Sequence, residues 1–255
     1  MTYLKTYFYA QNEIEYLIYN LMESYQHIDK FIICEFNRTH TGHPRDFIYQ
    51  NCAKNFPKEL IHKITYLKCD ISSESIFADR DENATHKINE PLMRGYFVKC
   101  LPLMDDDIVI SVDADEIIYS ESYPEIISSV KTHDAVLLSL HNFYYKKTYL
   151  WKNCTFNAPT AAKYSFYKYK YPANWRYDGF LLPQKVGCHF SACMDIDSFI
   201  YKLQVYGHPQ YRHFANKDIL IKAIENKEYI FDKTVKFEIE EKIMSDPIYP
   251  RSMRV

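Results

Sequence analysis

Glycine is scarce in this chain, with 5 among 255 residues. Neither G-x-G-x-x-G nor G-x-x-x-x-G-K-[ST] occurs, so a glycine-rich loop cradling phosphate is excluded. The seven cysteines form no C-x-x-C pair, and their odd number rules out a complete intrachain disulfide framework. Charge of one sign is lacking too: 31 Lys and Arg stand against 33 Asp and Glu. Nucleic-acid binders carry a basic patch, and nothing in this balance points to one. No apolar run approaches the length of a membrane span. The stretch Met1 to Tyr9 is too short and too polar for a signal peptide. Together these absences predict a soluble, cytoplasmic protein. In that setting the three N-x-[ST] matches, at Asn37, Asn83 and Asn153, are chance.

What is present is aromatic and α/β in pattern. There are 24 Tyr and 16 Phe, and scattered tyrosines mostly fill half-buried positions. The length suits one α/β domain spanning residues 1–255. Strands are expected at 2–9, 31–36, 64–67, 108–112 and 135–140. Helices are expected at 12–25, about 88–101 and near 121–131, which alternate with the strands as a mostly parallel central sheet flanked by helices requires. Residues 144–177, rich in Lys, Tyr and Trp, are expected as antiparallel strands or a loop over a site. Helices follow at 195–206 and 213–226, then an irregular tail.

The most informative stretch runs from Asp106 to Ile117. Ile108 to Val112 reads as a strand buried on both faces. At its carboxyl end stand Asp113, Asp115 and Glu116. Ligands of open α/β sheets bind beyond such strand ends. Crowded carboxylates there call for a cation, and hard oxygen ligands suit Mg²⁺ or Mn²⁺. An ion so held can grip a diphosphate.

Several segments in order resemble glycosyltransferase family 17, which contains a β-1,4-N-acetylglucosaminyltransferase. They are Asn12-Glu13; Ile33 to Gly42; Glu90-Pro91-Leu92-Met93-Arg94; Asp113-Ala114-Asp115-Glu116; and Gly187-Cys188-His189-Phe190-Ser191, followed by Lys202 and Gly207-His208-Pro209. The match spans roughly 2–232 and departs from the family at Cys188, where Trp is usual, and at Gln210, where an acid often stands. Both departures bear on donor or acceptor choice.

The resemblance implies a GT-A fold, with a nucleotide-sugar half at about 1–120, an acceptor and catalytic half at about 121–232, and a tail at 233–255. It implies a UDP-sugar donor, UDP-N-acetylglucosamine by default with UDP-xylose open, a glycan acceptor, and inversion. Asp115 and Asp113 would bind the metal, with His208 or His189 completing its shell. Arg94 would approach the diphosphate or donor sugar and Glu35 the nucleoside or nearby backbone; Lys202 would neutralise phosphate, and Gly187 would allow close backbone approach to a ligand. A base is needed for the acceptor hydroxyl; among the candidates Asp178, Asp195 and Asp197, Asp195 is expected to supply it, with Asp178 next. Trp175 and the tyrosines at 164–177 are candidates for stacking on acceptor sugars. Without a membrane span, a bacterial or viral enzyme acting in the cytoplasm fits better than a Golgi one. Two other classes remain: an inactive glycan-binding module on a transferase scaffold, and a metal-dependent phosphohydrolase. The second usually carries its D-x-D motif on the first strand, whereas here three strands precede it.

Overall fold

Apolar strands alternating with amphipathic helices build the first half of the chain. The computed structural model describes residues 1–8, 13–74, 82–205 and 209–254, the side chains of 82–84 and 209 excepted. Strand β1 (Thr2–Tyr7) leads through α1 (Ile14–Ser24) to β2 (Lys30–Phe36). Two one-turn helices, α2 (Tyr49–Cys52) and α3 (Lys58–Ile61), precede β3 (Ile64–Cys69). Helix α4 (Glu82–Cys100) returns the chain to β4 (Ile108–Ser111). Then come β5 (Glu116–Ile118), α5 (Tyr123–His133) and β6 (Ala135–Tyr144). The rest is β7 (Tyr149–Phe156), β8 (Thr160–Lys163), α6 (Tyr164–Tyr169), β9 (Phe180–Ser191), α7 (Ile196–Val205), α8 (Lys217–Glu225) and β10 (Ile239–Glu241).

One curled sheet joins all ten strands, in the order β10-β7-β6-β8-β4-β1-β2-β3, with β9 pairing both β6 and β5. The stretch β3-β2-β1-β4 is parallel, whereas β8 and β7 run antiparallel to their neighbours. Parallel strands covered on both faces read as continuous apolar runs, as Phe31-Ile32-Ile33-Cys34 does. One face packs Leu17, Leu21, Ile126 and Val130 from α1 and α5; the other packs Met93 and Phe97 from α4 with Tyr164 and Trp175. Helix α1 carries the chain from β1 to β2 on one side, and β4 lies on the other side of β1. The crevice therefore opens at the carboxyl ends of β1 and β4, where the order of connection reverses.

Two elements differ from expectation. Helix α4 begins at Glu82 and runs through Pro91. An internal proline costs about 3 kcal/mol, and the complete burial of Met93 and Phe97 offsets it. Strand β9, at 12 residues the longest, carries Pro183, a residue that argues against a strand. Register shifts against β6 near Ser139 accommodate it. The tail is only partly irregular: β10 pairs with β7, and Tyr249 and Met253 reach the core. No helix among the described residues is long and apolar enough to cross a membrane.

Candidate active site

Strand β4 ends at Ser111, and the next four residues, Val112 to Asp115, turn before β5 starts at Glu116, so Asp113, Asp115 and Glu116 converge at the crevice. The turn is tied at both ends. Asp113 N–H donates to Glu116 Oε2 at 2.7 Å, and Phe190 N–H donates to the Asp115 carbonyl at 2.9 Å. The β5–β9 ladder sets Glu116 opposite His189. A cavity of about 520 Å³ opens there, between this turn, α4, the 176–177 segment and α7.

Asp113 is bound by two guanidiniums. Arg94 Nη1 reaches Oδ1 at 3.0 Å, and Arg176 Nη2 reaches Oδ2 at 2.8 Å. Burial opposes ionisation, but Arg176 and Arg94 outweigh it and hold this carboxyl far below the usual range. Arg176 also bonds Glu116 Oε1 at 2.7 Å. Glu116 is wholly buried, and burial pushes it up to about 7 against the pull of Arg176. Arg94 makes a second pair with Glu90, at 2.8 Å.

Asp115 has different neighbours. Lys202 Nζ from α7 lies 3.5 Å from its Oδ2, and His189 Nε2 lies 4.0 Å from the same atom. Burial lowers His189 to about 4, so the ring is neutral at pH 7. Asn142 Nδ2 donates to Cys154 Sγ, which turns Asn142 Oδ1 towards the ring, 3.0 Å from Nδ1. The ring proton therefore sits on Nδ1, and Nε2 presents a lone pair to Asp115.

Arg94, Asp113, Asp115, His189 and Lys202 thus meet around one cavity. Four other expected residues stand elsewhere. Glu35 is completely buried and accepts bonds from Ile48 N–H, Tyr49 N–H, Tyr66 Oη and Arg45 Nη2, which tie down the 45–49 loop outside the cavity lining. Asp195 caps α7, accepting from Ser198 N–H at 2.9 Å and Ser198 Oγ at 2.6 Å. Asp178 is a half-buried partner of Lys170 outside the cavity wall. At Gly187 a Cβ would lie 2.2 Å from the Ile117 carbonyl oxygen; the glycine permits strand contact, not ligand approach. His208 and Gly207 lie outside the described residues.

Cys188 faces away from the cavity, against Tyr119 and the Ile248 carbonyl. Gln210 is exposed, and Trp175 is core, packed on Phe97 and Tyr167. Arg176 escaped sequence reading. Its signal is faint: it is the only arginine between Arg94 and Arg212, set in a lysine-rich tract. Glu13, named only as part of a motif, also lines the cavity.

A strand-end acidic turn, two clamped arginines and a neutral histidine share this one cavity. The chain belongs to glycosyltransferase family 17, whose model matches residues 7–238. No curated protein matches it. Among solved structures it is similar to 4-diphosphocytidyl-2C-methyl-D-erythritol synthase, at 10% identity over 80% of this chain and 99% of that one, with a TM-score of 0.47. It is also similar to S. aureus TarS, at 10% identity over 91% and 75% of the two chains with a TM-score of 0.37. A third likeness is an active-site mutant of LgtC, at 13% identity over 86% and 69% with a TM-score of 0.36. The family match carries the assignment to glycosyl transfer; these distant likenesses do not.

Proposed function

We propose that this chain is a metal-assisted, inverting glycosyltransferase that moves a sugar from a UDP-sugar, UDP-N-acetylglucosamine first and UDP-xylose second, to a glycan hydroxyl. The observation that carries the reading is the junction of Asp115, His189 and Lys202 with the arginine pair in one cavity. The cavity lining also includes Tyr144, Phe156, Tyr177 and Phe199, and aromatic faces suit the apolar faces of sugar rings.

Among the described residues no three His, Cys, Asp or Glu side chains gather as a ready metal site. The donor set nevertheless fits an ion. Asp115 Oδ2 and His189 Nε2 face each other at 4.0 Å, too far for a hydrogen bond, with the second ring nitrogen anchored by Asn142. Asp115 and His189 would hold Mn²⁺ or Mg²⁺, which would supply Lewis-acid stabilisation of the leaving diphosphate. Asp113 is spent on the arginines, and its role is to orient them. Lys202 neutralises Asp115 while the donor is absent.

Inversion in one displacement needs a base on the acceptor hydroxyl. Asp113, Glu90 and Glu116 are each gripped by a guanidinium. Glu13, 4.0 Å from Lys202, is the cavity carboxylate assigned this proton. The seven cysteines are free thiols, in keeping with a cytoplasmic enzyme that builds glycans.

The test is UDP release from a panel of UDP-sugars, with Mn²⁺ and with EDTA. Wild type should turn over one donor, and Asp115→Ala or EDTA should abolish it. Glu13→Gln should lose about 100-fold or more in transfer while UDP affinity stays near wild type. No turnover and no UDP binding under any condition would overturn the donor assignment. Full transfer by Glu13→Gln would remove it as the base.

A further inference from the structure

We infer that Arg176 is the residue that receives the distal phosphate of the nucleoside diphosphate, and that it does so without a metal. The inference rests on the transferase reading above and adds a cation that neither the motifs nor the family match assigns.

The hydrogen-bond donors around the cavity separate the cations by what each has left to offer. All three nitrogens of Arg94 are engaged: Nε bonds Glu90, Nη1 bonds Asp113, and Nη2 reaches both carboxylates. Lys202 is drawn to Asp115 and Glu13. Arg176 meets both of its carboxylates through one nitrogen, Nη2, at 2.8 Å to Asp113 and 2.7 Å to Glu116. Its Nε and Nη1 have no protein acceptor among the described residues. The side chain is 19% exposed and lines the cavity, with its guanidinium 5.9 Å from the ring centroid of Phe156. Two free N–H groups of a planar guanidinium match two oxygens of a phosphate, and Arg cannot lose its proton to escape the site.

The backbone that carries Arg176 is fixed before any ligand arrives. Trp175 is 2% exposed, and its indole N–H bonds the Lys170 carbonyl at 3.1 Å. Its own carbonyl accepts from Thr160 Oγ1 at 2.6 Å. Pro172 seats on Gly95 of α4, where a Cβ would stand 2.7 Å from Pro172 Cγ. A donor held this way needs no reorganisation on binding. Lys5 nearby is fully buried, its Nζ has no hydrogen-bond partner among the described residues, and it is close enough to sense Arg94, Asp113 and Arg176. Its charge adds to a field that favours an anion in the cavity.

Calorimetry with UDP and with UMP, in EDTA and again in Mn²⁺, on the full chain tests the assignment. Wild type should bind UDP in EDTA at least 10-fold more tightly than UMP. Arg176→Gln should bring the two nucleotides to similar affinity. Arg176→Lys keeps the charge beside Asp113 and Glu116 and guards against misfolding; it should lose most of the UDP preference too, because one ammonium cannot serve both carboxylates and a phosphate. An unchanged UDP-to-UMP ratio in either variant overturns the inference. If wild type binds UDP only with Mn²⁺, the inference falls and the transferase reading stands. If wild type binds neither nucleotide in either condition, both fall.

Discussion

The Lys5 amine is fully buried and has no hydrogen-bond partner among the described residues. Burial lowers it from 10.5 to about 8, with Arg94 and Arg176 adding to the effect and Cys34 and Asp113 opposing it. A folded value below the unfolded one means the unfolded chain binds the proton more readily between the two. Stability therefore rises with pH from about 8 to 10.5 through this group, and below about 8 the penalty is fully present. At pH 7 that penalty is about 3 kcal/mol. Lys5→Met, similar in length, should be more stable than wild type at pH 7 by an amount of this order. The gap should close as pH approaches 10. Chemical denaturation of both proteins at pH 7 and pH 10 measures it; a Met variant less stable at pH 7 would show that Lys5 holds structure. The same substitution should weaken UDP binding in EDTA, if its charge supports the anion above. Asp113 and Asp115 illustrate the limit of sequence reading at this scale. Both were legible as site residues from their place after β4, but their division of labour was not, because Arg176 comes from 63 positions beyond Asp113 and no local pattern announces it.

At the scale of elements, helices and parallel strands were readable because each buries an apolar stripe or run of its own. The acidic motif could be placed at a strand end for the same reason. Strand β9 was not readable: Pro183 and Gln184-Lys185 break its pattern, and pairing on both edges, with β6 and β5, holds it in place. That strand carries His189 into the site on one face and Cys188 away from it on the other. The departure at Cys188 is therefore expected to act through packing. Tyr119 Oη and Cys188 Sγ both approach the Ile248 carbonyl, at 2.6 and 3.2 Å, so the C-terminal segment occupies the space a larger side chain would need. Cys188→Trp should overpack this contact and cost about 1–3 kcal/mol, while the donor preference stays as in wild type. Denaturant midpoints and the UDP-sugar panel, run on the same samples, separate the two effects. A changed donor preference at unchanged stability would place Cys188 in the site after all.

For the whole molecule, the question is how a transferase keeps five carboxylates in one crevice before substrate arrives. Glu90, Asp113 and Glu116 are neutralised by Arg94 and Arg176, and Lys202 sits between Asp115 and Glu13. These partners come from α4, from the segment after α6 and from α7, so folding of both halves completes the site. Asp115 is not gripped by a guanidinium; it faces a neutral imidazole 4.0 Å away and an ammonium 3.5 Å away. A divalent ion that binds the folded chain there stabilises it by mass action, about 2.7 kcal/mol at 100 times its dissociation constant. For a chain of this size that corresponds to a rise in Tm of about 5–10 °C. Mn²⁺ without nucleotide should produce such a shift in wild type and in Asp113→Asn, and none in Asp115→Ala. A shift lost in Asp113→Asn but kept in Asp115→Ala would reverse the two roles. No shift in wild type would mean that the ion enters only with the diphosphate, whose phosphate oxygens would then have to supply ligands that Asp115 and His189 do not.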